Sequence, residues 1–310
     1  MTTADPRTVP GTAVATTTTT ATATTAVPVA GLPYLGSGIG YRSEIKEAID
    51  SPAHRIDWLE VITEHYLFAP PDVRDVLHRL RRRFRIVPHG LELSIGGTRE
   101  PSPRYLDALA QFTEEIDAPW FSDHLCFTRA GGVALSTLTP LPRTRDIARE
   151  VGRRAQRVQA AVGRPLILEN VTYYIDLDSP LSEAQFIAEV MEHCDCGLLL
   201  DLTNLDINAR NHGYSTAEFL DTIPVERVVQ VHLAGGTAGE EDRMDLDTHS
   251  EPVPPAVWDL LTDLVSRAPV RATLLERDQN FPDDFGELQE ELDHARRILD
   301  AARPAPAGVR

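Results

Sequence analysis

The sequence predicts an α/β fold, a TIM-type (β/α)8 barrel, on three observations. Short apolar runs alternate with helix-like stretches over roughly 250 residues, the usual span of this barrel. Seven of those runs end in a histidine or a carboxylate. No apolar stretch approaches the ~18 residues that a membrane-spanning helix needs.

Taken in order, Tyr34–Ile39 reads as the first strand and Ser43–Asp50 as the helix behind it. The run from Ile56 to Glu64 supplies the second strand, followed by a helix over Pro71–Arg83. Phe84–His89 is the third strand, Pro103–Ile116 its helix, and Trp120–His124 the fourth strand. A helix over Arg143–Val162 precedes the fifth strand, Leu166–Glu169, and Ser182–His193 precedes the sixth, Leu198–Asp201. Thr216–Ile223 leads to the seventh, Val228–His232, and Pro254–Ser266 to the eighth, Ala272–Glu276. A helix over Asp283–Ala302 closes the barrel, which thus occupies residues 31–302. Residues 1–30, with the run ATTTTTATATTA, bury too little to fold and read as a disordered tail, as does the shorter stretch 303–310.

Composition bounds the function. A chain of 310 residues with 42% hydrophobic content fits one large domain. Its start lacks the basic patch, apolar run and cleavage site of a secretory signal, so a cytoplasmic location is expected. Cys126, Cys194 and Cys196 are too few for a disulfide framework and lack metal-binding spacing, which makes them buried small hydrophobes. The formal charge of −17 disfavours broad binding to nucleic acid or to anionic membranes. Lys46 is the only lysine and sits in the polar segment SEIKEAID, so imine chemistry inside the barrel is not expected.

The C-terminal strand ends of such a barrel form its active face. That rule gathers Glu64, His89, His124, Glu169, Asp201, His232 and Glu276, with Asn204, His212, Asp247 and His249 from the following loops. Taken singly, each has an ordinary structural role, as a helix cap, a turn former or a hydrogen-bonded core group. Taken together, they carry a cost: buried carboxylates destabilise by several kcal/mol each unless positive charge compensates, against a net stability of ~5–15 kcal/mol. Arg277 follows Glu276 directly, so strand alternation points it away from the lumen. Of the two compensations available, arginine pairing and metal ions, the five histidines in the same set favour metal. Imidazole and carboxylate without thiolate suit Fe, Mn, Zn or Ni, and the set is too large for one ion, so two or three are expected.

The segments SDHLCF, LLLDLTNL, NHG, VHLAGG, DTHSEPV and ERD, in this order, resemble a formerly uncharacterised family that includes the methanobactin biosynthesis oxidase. A related member shortens a peptide C-terminal cysteine. The resemblance covers about residues 32–300. It implies a xylose isomerase-like barrel with two or three non-haem irons. Its members use dioxygen to oxidise cysteines of ribosomally made precursor peptides, usually with a small partner protein that presents the peptide. By motif position, His89, His124, Glu169 and Glu276 would hold one iron and Glu169, Asp201, His232 and Glu276 a second, with the glutamates as bridges. Asn204, Asp247 and His249 would hold the third. Asp278 would act on protons or pair with a loop arginine, and His212 would orient a ligand or substrate. The family's Glu-Asn-Tyr and Glu-Asn-Pro are here Glu64-His65-Tyr66 and Glu169-Asn170-Val171, differences that bear on substrate, so Glu64 and Asn170 are assigned to the substrate side.

Two rival readings stand beside the oxidase. One is a divalent-metal isomerase or phosphoesterase on the same barrel, which would work with redox-inert metal. The other is a non-catalytic peptide-binding barrel.

Overall fold

The computed structural model describes residues 31–240 and 243–303; the tails expected at 1–30 and beyond 303 lie outside the described residues. In chain order come β1 (Gly36–Gly40), α1 (Lys46–Asp50), β2 (Trp58–Ile62), α2 (Glu64–Leu67), α3 (Pro71–Leu80), β3 (Arg85–Gly90), α4 (Pro103–Glu115) and β4 (Phe121–His124). A hairpin of β5 (Phe127–Ala130) and β6 (Val133–Thr139) precedes α5 (Arg145–Val162), β7 (Leu166–Glu169), α6 (Glu183–Met191), β8 (Gly197–Asp201), α7 (Leu202–His212) and α8 (Thr216–Thr222). The chain continues through β9 (Val228–Leu233), a ribbon of β10 (Gly235–Thr237) and β11 (Leu246–Glu251), α9 (Pro255–Arg267), β12 (Ala272–Leu275) and α10 (Gly286–Ala302).

Eight parallel strands close into a barrel in the order β1-β12-β9-β8-β7-β4-β3-β2, the (β/α)8 architecture read from the sequence. Strand alternation decides what each face holds. In β2, Leu59 and Val61 pack outward in the large apolar layer shared with the helices, while Trp58 joins the barrel interior. Val87, Trp120, Ile167, Leu199, Val229 and Leu274 complete an apolar floor inside the barrel, closed by Leu32 and Leu35 from the segment before β1. Two residues further along most of these strands, on the same inward face, stand Glu60, His89, Glu169, Asp201 and Glu276. The floor closes the lumen at one end, so the polar layer opens only towards the C-terminal strand ends.

Helix starts are signalled locally. Ser102, Thr144, Ser182 and Ser215 each accept a backbone N–H three residues on, and Gln185 returns the bond to Ser182.

Beyond the elements that the periodicity reveals, the structure adds α2, α7, the β5–β6 hairpin and the β10–β11 ribbon. The segment after Asp201 is helix α7, because the Asp201 carboxylate accepts the Asn204 N–H and caps it. The β5–β6 hairpin has a mostly exposed outer strand and so no apolar stripe, although Gly131 and Gly132, at φ 58° and 89°, mark its turn. The β10–β11 ribbon is only partly covered along β11, where Ser250 is buried and the other residues are not. The second strand stops at Ile62, short of the expected Glu64, which instead opens α2. Among the described residues no helix is long and apolar enough to cross a membrane. Cys126, Cys194 and Cys196 are free and buried, as expected.

Candidate metal centre

Closure of the barrel brings the strand-end residues into one cluster. His89 ends β3 with Nδ1 on the Ser122 hydroxyl at 2.8 Å and Nε2 3.3 Å from Glu169 Oε2. His124 ends β4 with Nδ1 3.1 Å from the Gly90 carbonyl. A carbonyl only accepts, so Nδ1 carries the proton and the Nε2 lone pair faces Glu169 Oε2 at 3.3 Å. The other Glu169 oxygen lies 3.1 Å from His232 Nδ1, which is also 3.0 Å from Glu276 Oε2. Asp201 spends Oδ1 on the α7 cap, and its Oδ2 lies 4.0 Å from His249 Nε2.

Ligand-capable atoms of His89, His124 and Glu169 lie within 4.8 Å of one another, as do those of Glu169, Asp201, His232 and Glu276, and those of His249, Glu276 and Asp278. Glu169 and Glu276 each belong to two groups, the arrangement a bridging carboxylate requires. Glu276 falls outside the first group, although the family resemblance implies it there.

The outer residues divide around one ring. His249 Nε2 meets Asp247 Oδ1 at 2.7 Å, whereas Nδ1 faces Glu276 Oε1 at 3.5 Å and Asp278 Oδ2 at 3.6 Å. His249 holds a left-handed backbone, φ 46°, unusual outside glycine, in the irregular stretch of the β10–β11 ribbon, and its carbonyl accepts the Asp278 N–H at 2.9 Å. The structure thus sets Glu276 and Asp278 on one side of His249 and Asp247 on the other, a different grouping from the expected Asn204, Asp247 and His249. Asn204 is buried, with Nδ2 donating to the Asn170 carbonyl at 3.1 Å and Oδ1 accepting the Thr172 hydroxyl at 2.5 Å.

Burial pushes the His124 imidazole down to about 4, against the pull of Glu169. Burial alone would raise Glu169, but His232, His124 and His89 hold it down at about 2. Asp201 has less compensation, and burial drives its carboxyl well above the usual range.

A metal fits these residues on an observation independent of any motif. Glu169 Oε2, Asp201 Oδ2, His232 Nδ1, Asp247 Oδ1 and His249 Nε2 are buried and none makes a hydrogen bond, although each lies within about 2.7–4.0 Å of another member. Buried polar atoms left this way are costly, and several converging on one space are what a cation resolves. The donors are nitrogen and oxygen only, the set suited to iron, manganese or zinc.

Three further expected site residues have contacts outside these groups. Asn170, expected on the substrate side, locks the Asp201 backbone, accepting its N–H at 2.8 Å and donating to its carbonyl at 2.9 Å. His212, expected to orient a ligand or substrate, ends α7 with its ring stacked on Tyr173 and Nε2 on the Tyr173 carbonyl, in none of the metal-capable groups. Glu64 accepts the Leu91 and Glu92 N–H groups and the Tyr105 hydroxyl, yet also lines a groove of about 780 Å³ on the active face.

Two residues escape the periodicity of the sequence. Arg42, after β1, pairs with Asp278 at 2.5 Å and reaches Glu276 at 3.7 Å, so an arginine shares in the compensation that the sequence leaves to metal alone. Glu60, inside β2, accepts from Gln230 and contacts His232. Its signal is present in the alternation of Trp58-Leu59-Glu60-Val61, but the end of the apolar run points to Glu64 instead. Arg277 does point away from the cluster, towards the Ser250 carbonyl and Glu291.

The chain is 41% identical to a UPF0276 protein from Anaeromyxobacter sp. (strain Fw109-5), over 87% of this chain and 95% of the relative. It is 39% identical to a UPF0276 protein from Streptomyces avermitilis over 86% of this chain, spanning 56% of that longer relative. Among solved structures it resembles a D-tagatose 3-epimerase-like protein, with a TM-score of 0.57 and 16% identity over 86% of this chain and 98% of the other. A xylose isomerase-like TIM barrel protein from Mycobacterium smegmatis, solved in complex with magnesium, gives a TM-score of 0.54 and 12% identity over 89% of this chain and 99% of the other. At such identities the structures establish the fold alone, a xylose isomerase-like TIM barrel. The sequence model of the RiPP precursor modification enzyme MbnB/TglH/ChrH matches residues 36–300, and the chain belongs to that family of enzymes.

Proposed function

We propose that this protein is a multinuclear non-haem iron oxidase that uses dioxygen to modify cysteine residues of a ribosomally made precursor peptide. The observation that carries the reading is the sharing of Glu169 and Glu276 between adjacent nitrogen–oxygen ligand groups in a family of peptide-modifying enzymes. His89, His124 and Glu169 would hold one iron, and Glu169, Asp201, His232 and Glu276 a second. His249, flanked by Asp247, Glu276 and Asp278, would serve a third, with Asn204 beside it through Asp201. Iron held there would supply redox chemistry with dioxygen and acidify a cysteine thiol.

The chain's own residues supply the rest. Asp278, the most exposed carboxylate of the cluster, would take the thiol proton on the oxygen that Arg42 leaves free. The apolar floor excludes water from below the cluster. The groove beside Glu64, Phe68, Arg104 and Tyr105 has room for a peptide segment on the same face. A small partner protein would present that segment.

The test is metal analysis after anaerobic purification, with oxygen uptake measured on a Cys-containing precursor peptide encoded nearby. Iron content together with peptide-dependent oxygen uptake supports the oxidase. Turnover with zinc or magnesium and no oxygen uptake would replace it with an isomerase or phosphoesterase.

A further inference from the structure

Beneath the cluster a buried polar chain crosses the barrel from wall to wall. The Trp120 indole N–H donates to Gln230 Oε1 at 2.8 Å, and Gln230 Nε2 donates to Glu60 Oε2 at 2.6 Å. Glu60 Oε2 also lies 3.2 Å from His232 Nε2. All four residues are buried, with Gln230, His232 and Trp120 fully so. Glu60 belongs to none of the metal-capable groups, and it stands on the far side of the His232 ring from Glu169 and Glu276.

The indole can only donate, so the Gln230 oxygen faces Trp120 and its amide nitrogen faces Glu60 and His232. That nitrogen lies 2.9 Å from His232 Nε2 and could serve it only as a donor, whereas Glu60 could serve it only as an acceptor. The two contacts therefore favour opposite tautomers. A ligand at Nδ1 needs its lone pair there, which puts the proton on Nε2, and of the two neighbours only Glu60 can receive it.

We infer that Glu60 is a positioning residue that fixes His232 with its proton on Nε2 and its Nδ1 lone pair aimed at Glu169 and Glu276, with Trp120 and Gln230 holding Glu60 in place. The inference rests on the reading of His232 as a metal ligand. A carboxylate behind a ligating imidazole raises its basicity and sets its rotation, and losing such a partner typically costs ~10–100-fold in metal affinity. It also gives the buried carboxylate a reason to be there, because among the described residues no arginine forms an ion pair with Glu60.

The experiment compares wild type, Glu60→Gln, Glu60→Asp and His232→Ala as full-length proteins. Each is stripped by chelation, checked for folding by thermal melting, and titrated anaerobically with Fe(II) and with Co(II), whose visible spectrum reports ligand geometry. The expected result is a ~10–100-fold weaker affinity and an altered Co(II) spectrum for Glu60→Gln, with partial recovery in Glu60→Asp. Wild-type affinity and spectrum in a folded Glu60→Gln protein would overturn the inference. Should Glu60→Gln fail to fold, Glu60→Asp decides in its place: a weakened affinity supports the inference, and an unchanged affinity and spectrum count against it. A purely structural role would lower the melting temperature of the metal-free protein and leave the affinity unchanged. If His232→Ala also binds both ions normally, the ligand reading of His232 falls; if only His232→Ala weakens binding, the Glu60 inference falls alone.

Discussion

The inner cluster and the outer group around His249 use the same residue types on different backbone. His89, His124, Glu169, Asp201 and His232 all lie at the ends of parallel strands, and their side chains are 0–8% exposed. His249, Asp247 and Asp278 sit on the β10–β11 ribbon or just past β12, with side chains 15%, 19% and 39% exposed. A strand in a closed barrel is fixed by neighbours on both sides, whereas the two-stranded ribbon is paired only with itself. The inner positions are thus preorganised by the fold and the outer ones by local strain and by Arg42. A rigid inner site should retain metal through the reaction, and a looser outer one can exchange ligands when substrate arrives.

The largest effect is expected where two inner groups share one residue. Glu169→Ala should strip most bound iron and lower peptide oxidation by more than ~100-fold, since losing even an indirect partner of a metal ligand costs ~10–100-fold. Metal analysis with oxygen uptake checks this, and near-normal iron in that variant would break the inner cluster as a site. Next comes His249→Ala, which should lower activity ~10–100-fold while removing about one ion and sparing the rest. Iron loss as deep as in Glu169→Ala would erase the distinction between inner and outer positions.

Metal removal sharpens the same contrast through stability. Binding to the folded state alone contributes about 2.7 kcal/mol when free metal is 100 times its dissociation constant. Chelation should therefore lower the melting temperature of wild type by several degrees, and His249→Ala should keep most of that difference if the inner cluster supplies it.

The smallest effect lies outside both regions and serves as a control. Burial raises the Glu183 carboxyl to about 7, against the hydrogen bond from Tyr214 and the charge of Arg143. Its folded-state value exceeds the ordinary ~4.3, so the folded chain binds this proton more tightly than the unfolded chain. The associated stability is complete below about pH 4.3 and is lost as pH rises to about 7. Glu183→Gln should flatten thermal stability across that window without changing iron content. Melting curves from pH 4 to 8 decide it, and an unchanged slope would mean that the carboxylate ionises freely in the fold.

Much of this site was legible in the chain because a strand repeats every two residues. Val87 and His89, Ile167 and Glu169, and Leu199 and Asp201 each show the same pair, an apolar floor residue and a polar one above it. That local rule placed the polar strand ends on one face. It fails where the apolar run outlasts the strand, so that the run points to Glu64 while Glu60 is the inward residue of β2. It also gave no access to the β5–β6 and β10–β11 pairs, whose strands β6 and β11 show no alternating buried face to pattern. Asn170 and His212 show a further limit: their hydrogen bonds to backbone, to Asp201 and to Tyr173, have no signal in the local pattern.

By itself the sequence determined the barrel, the face that gathers the polar strand ends and the chemical type of the candidate ligands, because these depend on local periodicity and residue identity. Only the tertiary structure decided which carboxylates are shared, which nitrogen of His124 and His249 faces which oxygen, and which groups stand behind the candidate ligands. Gln230 meets Glu60 across 170 residues of chain, and Arg42 meets Asp278 across 236. Contacts of that kind exist only after the barrel closes, and nothing in the local pattern of either partner specifies the other.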